Sequence, residues 1–513
     1  MIMSIKRLIA AAAVLAAAAC GKNDDGGNGH SPEPPVTERP EELVLNGFTA
    51  YPSGENACVD SYLTLKFPET PQLGTSGKIR ILDAGGAEVD MIDMEDVAAG
   101  KPQMTGQTVF NTAMDAIGTS YTGRYRIVYY DPVTVDGTTV RIKLHCGSLD
   151  YGGSYSVEID PEVILSDSFG GVAAGEWKFS VMAGQERKSE VTVGSRDCDF
   201  MTVQGAVNFA NSCGQGFDMT INVSAGFYDE LLYIRTKNNL TIKGAGPGAT
   251  VIRADNCEDY VNGVGSGASS VPSAGSPVGT AGGRSVVLVE GCDMLRFENL
   301  TIENVHGHGC QAEAIYFNSD DGRLIAENCR FTSEQDTVEL KGWCLFRQCR
   351  ITGDVDFIWG YAKAALFESC EINSCANEAG GYIVQARCAK DDRGFVFLDC
   401  DITAQTGVDD GSVWLARSGG DPKYYDNVTY VNCRMADHIA AAGWHSGKTP
   451  NPAGATAENG WKEYGSWNSF GYAADVSSRY GGSIQLSDDA FNTLYRDAAS
   501  IFASCPHGTY WVN

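Results

Sequence analysis

Asn328-Cys329-Arg330-Phe331 is the first of three similar segments, and Gln348-Cys349-Arg350-Ile351 and Ser369-Cys370-Glu371-Ile372 follow it. The same pattern is found on both sides of them, at Asn239-Leu240-Thr241-Ile242, Asn299-Leu300-Thr301-Ile302, Asp399-Cys400-Asp401-Ile402 and Asn432-Cys433-Arg434-Met435. The later copies recur every 20 to 33 residues. This period is typical of a solenoid whose coils are a few short strands. We therefore predict a mainly β chain containing a right-handed parallel β-helix.

The cysteines support this prediction. One repeat position is held by five of them: Cys329, Cys349, Cys370, Cys400 and Cys433. Stacked coils bring equivalent residues about 4.8 Å apart, a spacing that does not guarantee disulfide geometry. We expect an inward-facing ladder of buried, mostly free thiols. A metal site is the alternative, but the ladder lacks the paired C-x-x-C spacing of zinc ligands.

The composition limits the classes of partner. A chain of 513 residues with 60 glycines is long enough for two or three domains. The formal net charge of −27 argues against nucleic acid or an anionic membrane surface as a partner. It also disfavours a strongly anionic polymer, unless basic residues offset it locally.

The N-terminus has the pattern of a targeting segment. Lys6 and Arg7 precede an apolar run from Leu8 to Ala19, and Cys20 follows. We interpret residues 1–20 as a lipoprotein signal peptide with Cys20 as the lipidated residue. This predicts an exported protein with a lipid anchor to the outer membrane, at the cell surface or in the periplasm. Ordinary secretion is the alternative, since Ala17 stands where such signals usually carry leucine.

Two further regions follow the signal. Residues 21–41 are rich in Gly, Asn, Asp and Pro, which predicts a flexible tether. Short alternating segments then predict a β-sandwich over 42–185; they include Tyr62–Phe67, Lys78–Leu82, Arg124–Tyr130 and Tyr155–Ile159. The stretch from Tyr155 to Val181 resembles bacterial Ig-like domains of the SbsA type, which implies a spacer or accessory module. Sugar binding by this domain is the alternative.

The solenoid is predicted to occupy residues 193–513. Residues 261–284 are rich in Gly, Ser and Pro and are expected to form an exposed loop between coils. The segment from Asp488 carries Phe491, Leu494 and Tyr495 at helical spacing. We expect this segment to cap the open end of the solenoid.

Polar residues at about one-coil spacing mark a candidate site. Gln311 and Gln335 are 24 residues apart, and Asp336 and Asp356 are 20 apart; Arg417 lies further along. On a β-helix such side chains line one face. Asp356 belongs to the segment Gly353-Asp354-Val355-Asp356-Phe357-Ile358-Trp359-Gly360, which surrounds a carboxylate with apolar residues.

These segments resemble the pectin methylesterases. The matching elements appear in the family's order over about residues 195–513, and they are Gln311-Ala312-Glu313-Ala314, Gln335-Asp336-Thr337, Gly353 to Gly360, Ile383-Val384-Gln385-Ala386-Arg387, Trp414-Leu415-Ala416-Arg417 and Gly443-Trp444. The Gly353–Gly360 element is specific, whereas each of the others alone is weak. The resemblance implies a pectin-lyase-like β-helix that hydrolyses galacturonate methyl esters to carboxylate and methanol.

The resemblance also implies roles. Asp356 would be the nucleophile, with Arg417 keeping it ionised and oriented. Asp336 would give a proton to the leaving methanol and then act as base on water. Gln311 and Gln335 would stabilise the oxyanion. This mechanism needs no metal and no organic cofactor.

The sugar-contacting residues depart from the family. Arg417-Ser418-Gly419 replaces a common Arg-Pro-Trp, and Glu334 replaces a usual aromatic residue. We predict an altered preference among methyl-esterified pectins or pectic oligosaccharides. The expected substrate contacts are Trp359, Phe357, Arg387, Trp414 and Trp444, although the three tryptophans are equally consistent with core positions.

Other readings stay open. A non-catalytic glycan-binding β-helix, a pectate lyase or hydrolase, and an esterase acting on other esters fit the same fold. A serine esterase is unsupported, because the sequence has no G-x-S-x-G. His306 and His308 are expected to be loop residues rather than ligands. Asp354, Asp320 and Asp321 are expected to be structural.

Overall fold

The computed structural model describes residues 40–101, 109–261, 263–273, 282–377 and 380–512. All of these belong to one compact unit, Arg39–Asn513. The signal peptide with Cys20, and all but the end of the 21–41 tether, lie outside the described residues and stay predictions. Within the described ranges, no helix has the length and apolar character needed to cross a membrane.

The N-terminal strands build a mixed sheet and a separate two-stranded sheet, which pairs Gln72–Leu73 with Ile164–Leu165, around one core. They are Glu41–Leu45, Phe48–Ala57, Leu63–Lys66, Gln72–Leu73, Lys78–Asp83, Glu88–Asp93, Val133–Asp136, Thr139–Ile142, Ser154–Ile159, Ile164–Leu165 and Val172–Val181, with helix Met94–Ala99 and a 3₁₀ turn at Pro161–Val163. Trp177 is fully buried in this core and donates its Nε1–H to the Pro52 carbonyl at 2.6 Å. Most of the predicted strands are present, and the Ig-like identification stays a prediction.

One predicted strand of this region lies elsewhere. Strands Met114–Thr119 and Arg124–Tyr129 form a separate antiparallel hairpin, not part of the sandwich sheet. Tyr125 pairs with Ala268, within the segment expected to be an exposed loop. Arg126 is fully buried and donates to the carbonyls of Leu232 at 2.7 Å and Val286 at 3.0 Å. The hairpin therefore packs on the solenoid, and its arginine satisfies carbonyls there.

The rest of the chain is a parallel β-helix, as predicted, with three faces. The cleft face contains Leu232–Arg235, Val287–Glu290, Ile315–Asn318, Gly381–Ala386, Val413–Arg417, Trp444–His445 and the first parts of Val338–Arg347 and Val355–Glu368. The tail face contains Glu190–Val193, Met219–Val223, Leu240–Gly244, Leu295–Glu298, Arg323–Glu327, the second parts of the two long strands, Gly394–Leu398, Val428–Val431, Trp461–Tyr464 and Ile484–Gln485. The third face contains Gly226–Asp229, Thr250–Ala254, Thr301–Asn304, Arg330–Thr332, Arg350–Gly353, Glu371–Ser374, Asp401–Ala404, Arg434–Met435 and Trp467–Asn468. Helix Val203–Ser212 precedes the first complete coil.

The repeat unit marks the turn between the tail face and the third face. Its first residue has φ between 50° and 55° in each copy from Asn239 to Asn432, a left-handed conformation in which Asn and Asp are enriched. The following cysteine points inward, as expected. Its thiol donates to a carbonyl of the preceding coil, for example Cys400 to Phe367 at 3.1 Å. The five ladder cysteines are free and buried.

Stacked aromatic rings fill the core beside the cysteines. Phe346, Phe367, Phe397 and Tyr430 occupy equivalent positions, and successive ring centroids lie 4.8, 4.9 and 4.5 Å apart. Because each coil repeats the same contact, the solenoid keeps a constant cross-section along the region that carries the site.

The C-terminal tail covers a flank of the solenoid. Helices Asp488–Leu494 and Ala498–Ile501, with a 3₁₀ turn at Tyr510–Val512, lead residues such as Ile501 and Phe502 onto Leu345, Leu366 and Val396. These three are outward-facing apolar residues of the tail face. The expectation of a cap at the open end was therefore wrong, since the exposed apolar surface to be buried lies on the side.

Candidate active site

The segment Gly353–Gly360 crosses from the third face into the cleft face. A Cβ on Gly353 would lie 2.6 Å from Thr337 Oγ1. Gly360 has φ +124°, and a Cβ there would meet the Leu340 carbonyl. A side chain has no space at Gly353, and at Gly360 neither the space nor the backbone conformation allows one. The two glycines let the chain approach the preceding coil closely and present Asp356.

Both candidate aspartates lie in left-handed turns. Asp336 has φ 66° and Asp356 has φ 49°, and both side chains are buried. The backbone N–H of Asp336 donates to the Val355 carbonyl at 3.1 Å, which places the two turns on successive coils. Residues held in sparsely populated backbone regions cluster at functional sites. The predicted one-coil spacing of Asp336 and Asp356 is confirmed.

Asp356 is held from two sides. Arg417 donates Nε–H to one carboxylate oxygen at 2.7 Å and Nη2–H to the other. Gln385 adds a hydrogen bond from Nε2 at 2.7 Å. Gln385 is held in turn by Arg387, whose Nη2 lies 2.7 Å from its carbonyl oxygen. A bidentate arginine and an amide fix the orientation of the carboxylate.

Asp336 belongs to a buried cluster around Arg284. The guanidinium donates to Asp336 at 3.1 Å, to Glu313 at 2.7 Å and to Glu258 at 3.1 Å. It also donates to the side-chain oxygen of Gln311. One cation thus faces three carboxylates and cannot neutralise the charge of all three.

The electrostatics separate the two aspartates. Burial raises the pKa of Asp336 well above its usual range; Glu313 and Asp356 raise it further, and Arg284 acts against the rise. Burial also raises the pKa of Asp356, but Arg417 opposes this. Arg417 therefore limits a rise rather than producing a net fall. The difference in environment favours a protonated Asp336 beside an ionised Asp356.

The two aspartates open into one cleft of about 800 Å³. Four more of the predicted site residues line this cleft, and they are Gln311, Trp359, Arg387 and Arg417. Arg284, which the sequence did not single out, lies in the same wall. Tyr316, Glu339, Trp359 and Gln385 occupy successive rungs of the cleft face and form its floor. An arrangement of a fixed carboxylate, a protonated acid and amide donors is suited to acyl transfer.

Comparison with known proteins identifies the family. The family model described as Pectinesterase matches residues 190–482. The chain belongs to the pectinesterase family. Probable pectinesterase 8 of Arabidopsis thaliana is 30% identical over 293 residues, which is 55% of this chain and 67% of the relative. Probable pectinesterase A of Aspergillus flavus is 33% identical over 284 residues, 53% of this chain and 81% of the relative.

Among solved structures, the deglycosylated pectin methylesterase from Aspergillus niger is similar. It shares 25% identity with a TM-score of 0.47, over 59% of this chain and 92% of that one.

Two predicted substrate contacts of this pectinesterase are corrected. Phe357 is fully buried in the solenoid core, and Trp444 is 1% exposed and stacks on Trp461 at 5.5 Å. Neither side chain reaches the cleft. Trp414 is half-buried and stacks on Tyr382 at 5.4 Å, and Arg417 lies over the Tyr382 ring at 4.5 Å. This aromatic pair adjoins the cleft, so Trp414 stays a predicted contact.

Gln335 is placed differently from Gln311. Gln335 is half-buried and forms an isolated parallel β-bridge with Val355. It is not among the described residues that line the cleft. Its proposed role toward the oxyanion therefore stays a prediction. Gln311 accepts a hydrogen bond from Arg284 through its oxygen, which leaves its amide N–H₂ free to donate.

The pectinesterase site contains residues that the sequence did not single out. Arg284 lies 27 residues before Gln311, about one coil, so counting back a coil was the available signal. Gln385 belongs to the matching segment Ile383–Arg387, but no role was predicted for it. Asp354, expected to be structural, is buried and bonds His308 Nδ1 at 2.6 Å.

Proposed function

We propose that this chain is a pectin methylesterase, a carboxylic ester hydrolase that converts galacturonate methyl esters to carboxylate and methanol. The observation that carries the proposal is Asp356, fixed by Arg417 and Gln385 in the same cleft as Asp336. Membership of the pectinesterase family supplies the reaction class.

In the first half of the proposed reaction, an oxygen of Asp356 attacks the ester carbonyl carbon. A C–O bond forms, and the carbonyl oxygen becomes an oxyanion that Gln311 is placed to stabilise with its amide N–H. Collapse breaks the bond to the methoxy oxygen. Asp336 donates its proton to that oxygen, and methanol leaves.

In the second half, the ionised Asp336 takes a proton from water. The water oxygen attacks the carbonyl carbon of the anhydride formed with Asp356, which returns as a carboxylate, and the galacturonate product leaves. The raised pKa of Asp336 suits both roles, because the group can hold a proton before the first step and regain it after the second.

The cleft walls suit a sugar carboxyl group. Arg387 lies over the Trp359 ring at 4.9 Å and donates to Tyr361 at 3.1 Å, giving a cationic edge beside an aromatic face. Lys341 also lies in the wall, as do Arg284 and Arg417. The four cations of the wall face four carboxylates in the same wall, so the charges of the cleft are balanced locally within a strongly negative chain. Trp359 and Arg387 are proposed as sugar contacts.

The deciding experiment measures three products from highly methyl-esterified pectin: methanol, new reducing ends and ultraviolet-absorbing unsaturated ends. We expect methanol release without chain shortening. Asp356→Asn should lower the rate by roughly 10³-fold or more while the fold is retained. Asp321→Asn is the matched control, because Asp321 is a 75% exposed carboxylate paired with Lys363.

Each other outcome selects an alternative. Unsaturated ends without methanol would identify a lyase, and new reducing ends alone a hydrolase. Binding of pectin without any product would identify a glycan-binding β-helix. Methanol release that Asp356→Asn leaves intact would refute the nucleophile.

We also propose that the protein is exported and anchored through Cys20, with the Ig-like region as a spacer. The support is the order of Lys6, Arg7, the apolar run and Cys20 in the sequence. Mass spectrometry of the mature N-terminus tests this. A lipid-modified Cys20 is expected, and an unmodified N-terminus at another residue would contradict the anchor.

A further inference from the structure

A second cluster of reactive side chains lies outside the ester-hydrolysing cleft. Cys257, His306 and Cys310 bring three metal-ligating atoms within 4.8 Å of one another. Cys257 follows strand Thr250–Ala254, and His306 follows strand Thr301–Asn304, its parallel neighbour on the next coil. The proposed mechanism uses none of these groups.

The histidine is held by a carboxylate, as metal-bound histidines commonly are. His306 Nδ1 lies 2.8 Å from a carboxylate oxygen of Asp255, and Lys101 Nζ lies 3.7 Å from the other oxygen of that carboxylate. A carboxylate on one ring nitrogen fixes the tautomer and makes the other nitrogen a better ligand. The ring of Tyr260 packs against His306 edge-on at 5.5 Å, which restricts its rotation.

A backbone donor faces one of the two sulfurs. The backbone N–H of Asp259 donates to Cys310 Sγ at 3.4 Å. A backbone N–H donor stabilises a buried sulfur most when the sulfur is a thiolate. A bound cation would neutralise the rest of the thiolate charge.

We propose that Cys257, His306 and Cys310 form a zinc site. Two thiolates and an imidazole are the donors that Zn²⁺ prefers among divalent cations. With Zn–S bonds of about 2.3 Å, two sulfurs on a tetrahedral ion lie about 3.8 Å apart, which the cluster can reach with small side-chain movements. Water completes the fourth position. This assignment revises the expectation that His306 is only a loop residue.

The site supports the segment that carries Gln311. Cys310 directly precedes Gln311, and Cys257 directly precedes Glu258. The Glu258 N–H donates to the Gln311 carbonyl at 3.0 Å, and its carboxylate bonds Arg284 at 3.1 Å. A metal bound at Cys257 and Cys310 therefore joins two segments that lead to the cleft. Its role is structural, and the ester chemistry includes no step on the ion.

The test uses the purified full chain, kept reduced and dialysed against zinc and then against buffer. We expect stoichiometric zinc by elemental mass spectrometry, and a thiolate-to-cobalt charge-transfer band when Co²⁺ replaces zinc. Cys257→Ser and His306→Ala should lose both signals. Asp255→Ala should weaken zinc affinity roughly 10- to 100-fold, as loss of a carboxylate partner does. Cys375→Ser is the control, being a half-buried cysteine outside the cluster.

The wild-type cobalt spectrum keeps the proposal testable even if a variant fails to fold. A reduced wild-type chain that binds neither ion overturns the proposal. A peptide map showing Cys257 joined to Cys310 as a disulfide in freshly purified protein also overturns it. So does zinc retention by Cys257→Ser and His306→Ala equal to that of the wild type.

Discussion

Replacing Arg417 by methionine isolates the charge that Asp356 depends on. The guanidinium makes two hydrogen bonds to the carboxylate, one of them at 2.7 Å. Unit charges about 4 Å apart attract by about 4 kcal/mol at an effective dielectric constant of 20, which corresponds to about 3 pKa units. The Arg417 side chain is 31% exposed, so solvent screens part of this. We expect the pKa of Asp356 to rise when this guanidinium is removed.

The assay is methanol release from pectin between pH 4 and pH 8, analysed as kcat/KM so that it reports the free enzyme. Asp356 attacks as a carboxylate, so raising its pKa moves the acid limb of the profile to higher pH. At pH values below the acid limbs of both enzymes, kcat/KM of Arg417→Met should be about 100-fold lower than that of the wild type, because solvent screening reduces the attraction of about 4 kcal/mol. The difference should shrink as the pH rises. Arg417→Lys keeps the charge but loses the bidentate geometry and should shift the limb less.

The matched control is Arg434→Met, because Arg434 makes a similar 2.6 Å pair with Asp401 on the third face. It should leave the profile unchanged. Thermal unfolding of each variant checks that the fold is retained. An Arg417→Met enzyme that is slower by the same factor at every pH, with its acid limb unmoved, would refute the charge argument and leave only an orienting role.

Four further outcomes are expected. Asp336→Asn should abolish methanol release with the fold intact, since the amide cannot supply the proton; an active variant would contradict the assignment. Glu313→Gln removes a carboxylate that raises the pKa of Asp336, so the alkaline limb should move to lower pH, and a move to higher pH would oppose the cluster model. Arg126→Met leaves the carbonyls of Leu232 and Val286 without their donor. Unfolding measurements should show a loss of about 3 kcal/mol or more, and an unchanged stability would show that the hairpin docks without it. Lys462 is fully buried, and burial lowers its pKa to about 7. The unfolded chain binds more protons from pH 7 to about 10, so stability should rise with pH there, and in urea titrations Lys462→Met should lack this rise.

The solenoid and most of its site could be read from the chain, because a β-helix converts sequence spacing into spatial distance. The repeat from Asn239 to Asn432 revealed the coil, and the coil placed Asp336 beside Asp356. The cysteine ladder followed from the same period. Local rules are sufficient for such features, since each coil contacts only its neighbours.

Contacts between distant segments were not predictable in this way. The segment Arg124–Tyr130 was predicted as one more sandwich strand, and only the tertiary structure shows that Arg126 donates to the Val286 carbonyl. The tail at 488–512 reads as a cap, yet it covers apolar residues on the outside of the tail face. The repeat spacing of a sequence does not predict which exposed surface a later segment will bury.

The sequence by itself therefore determined the coil period, the parallel β-helix and the succession of Gln311, Asp336, Asp356 and Arg417 along it. Tertiary structure decided which neighbours face the cleft. Phe357 and Trp444 point into the core while Trp359 lines the cleft, because strand register and the turn at Asp356 set the direction of each side chain. The tertiary structure also placed Arg284 beside Asp336, because the packing of the coils, and not the spacing in the chain, determines which carboxylates a buried guanidinium contacts.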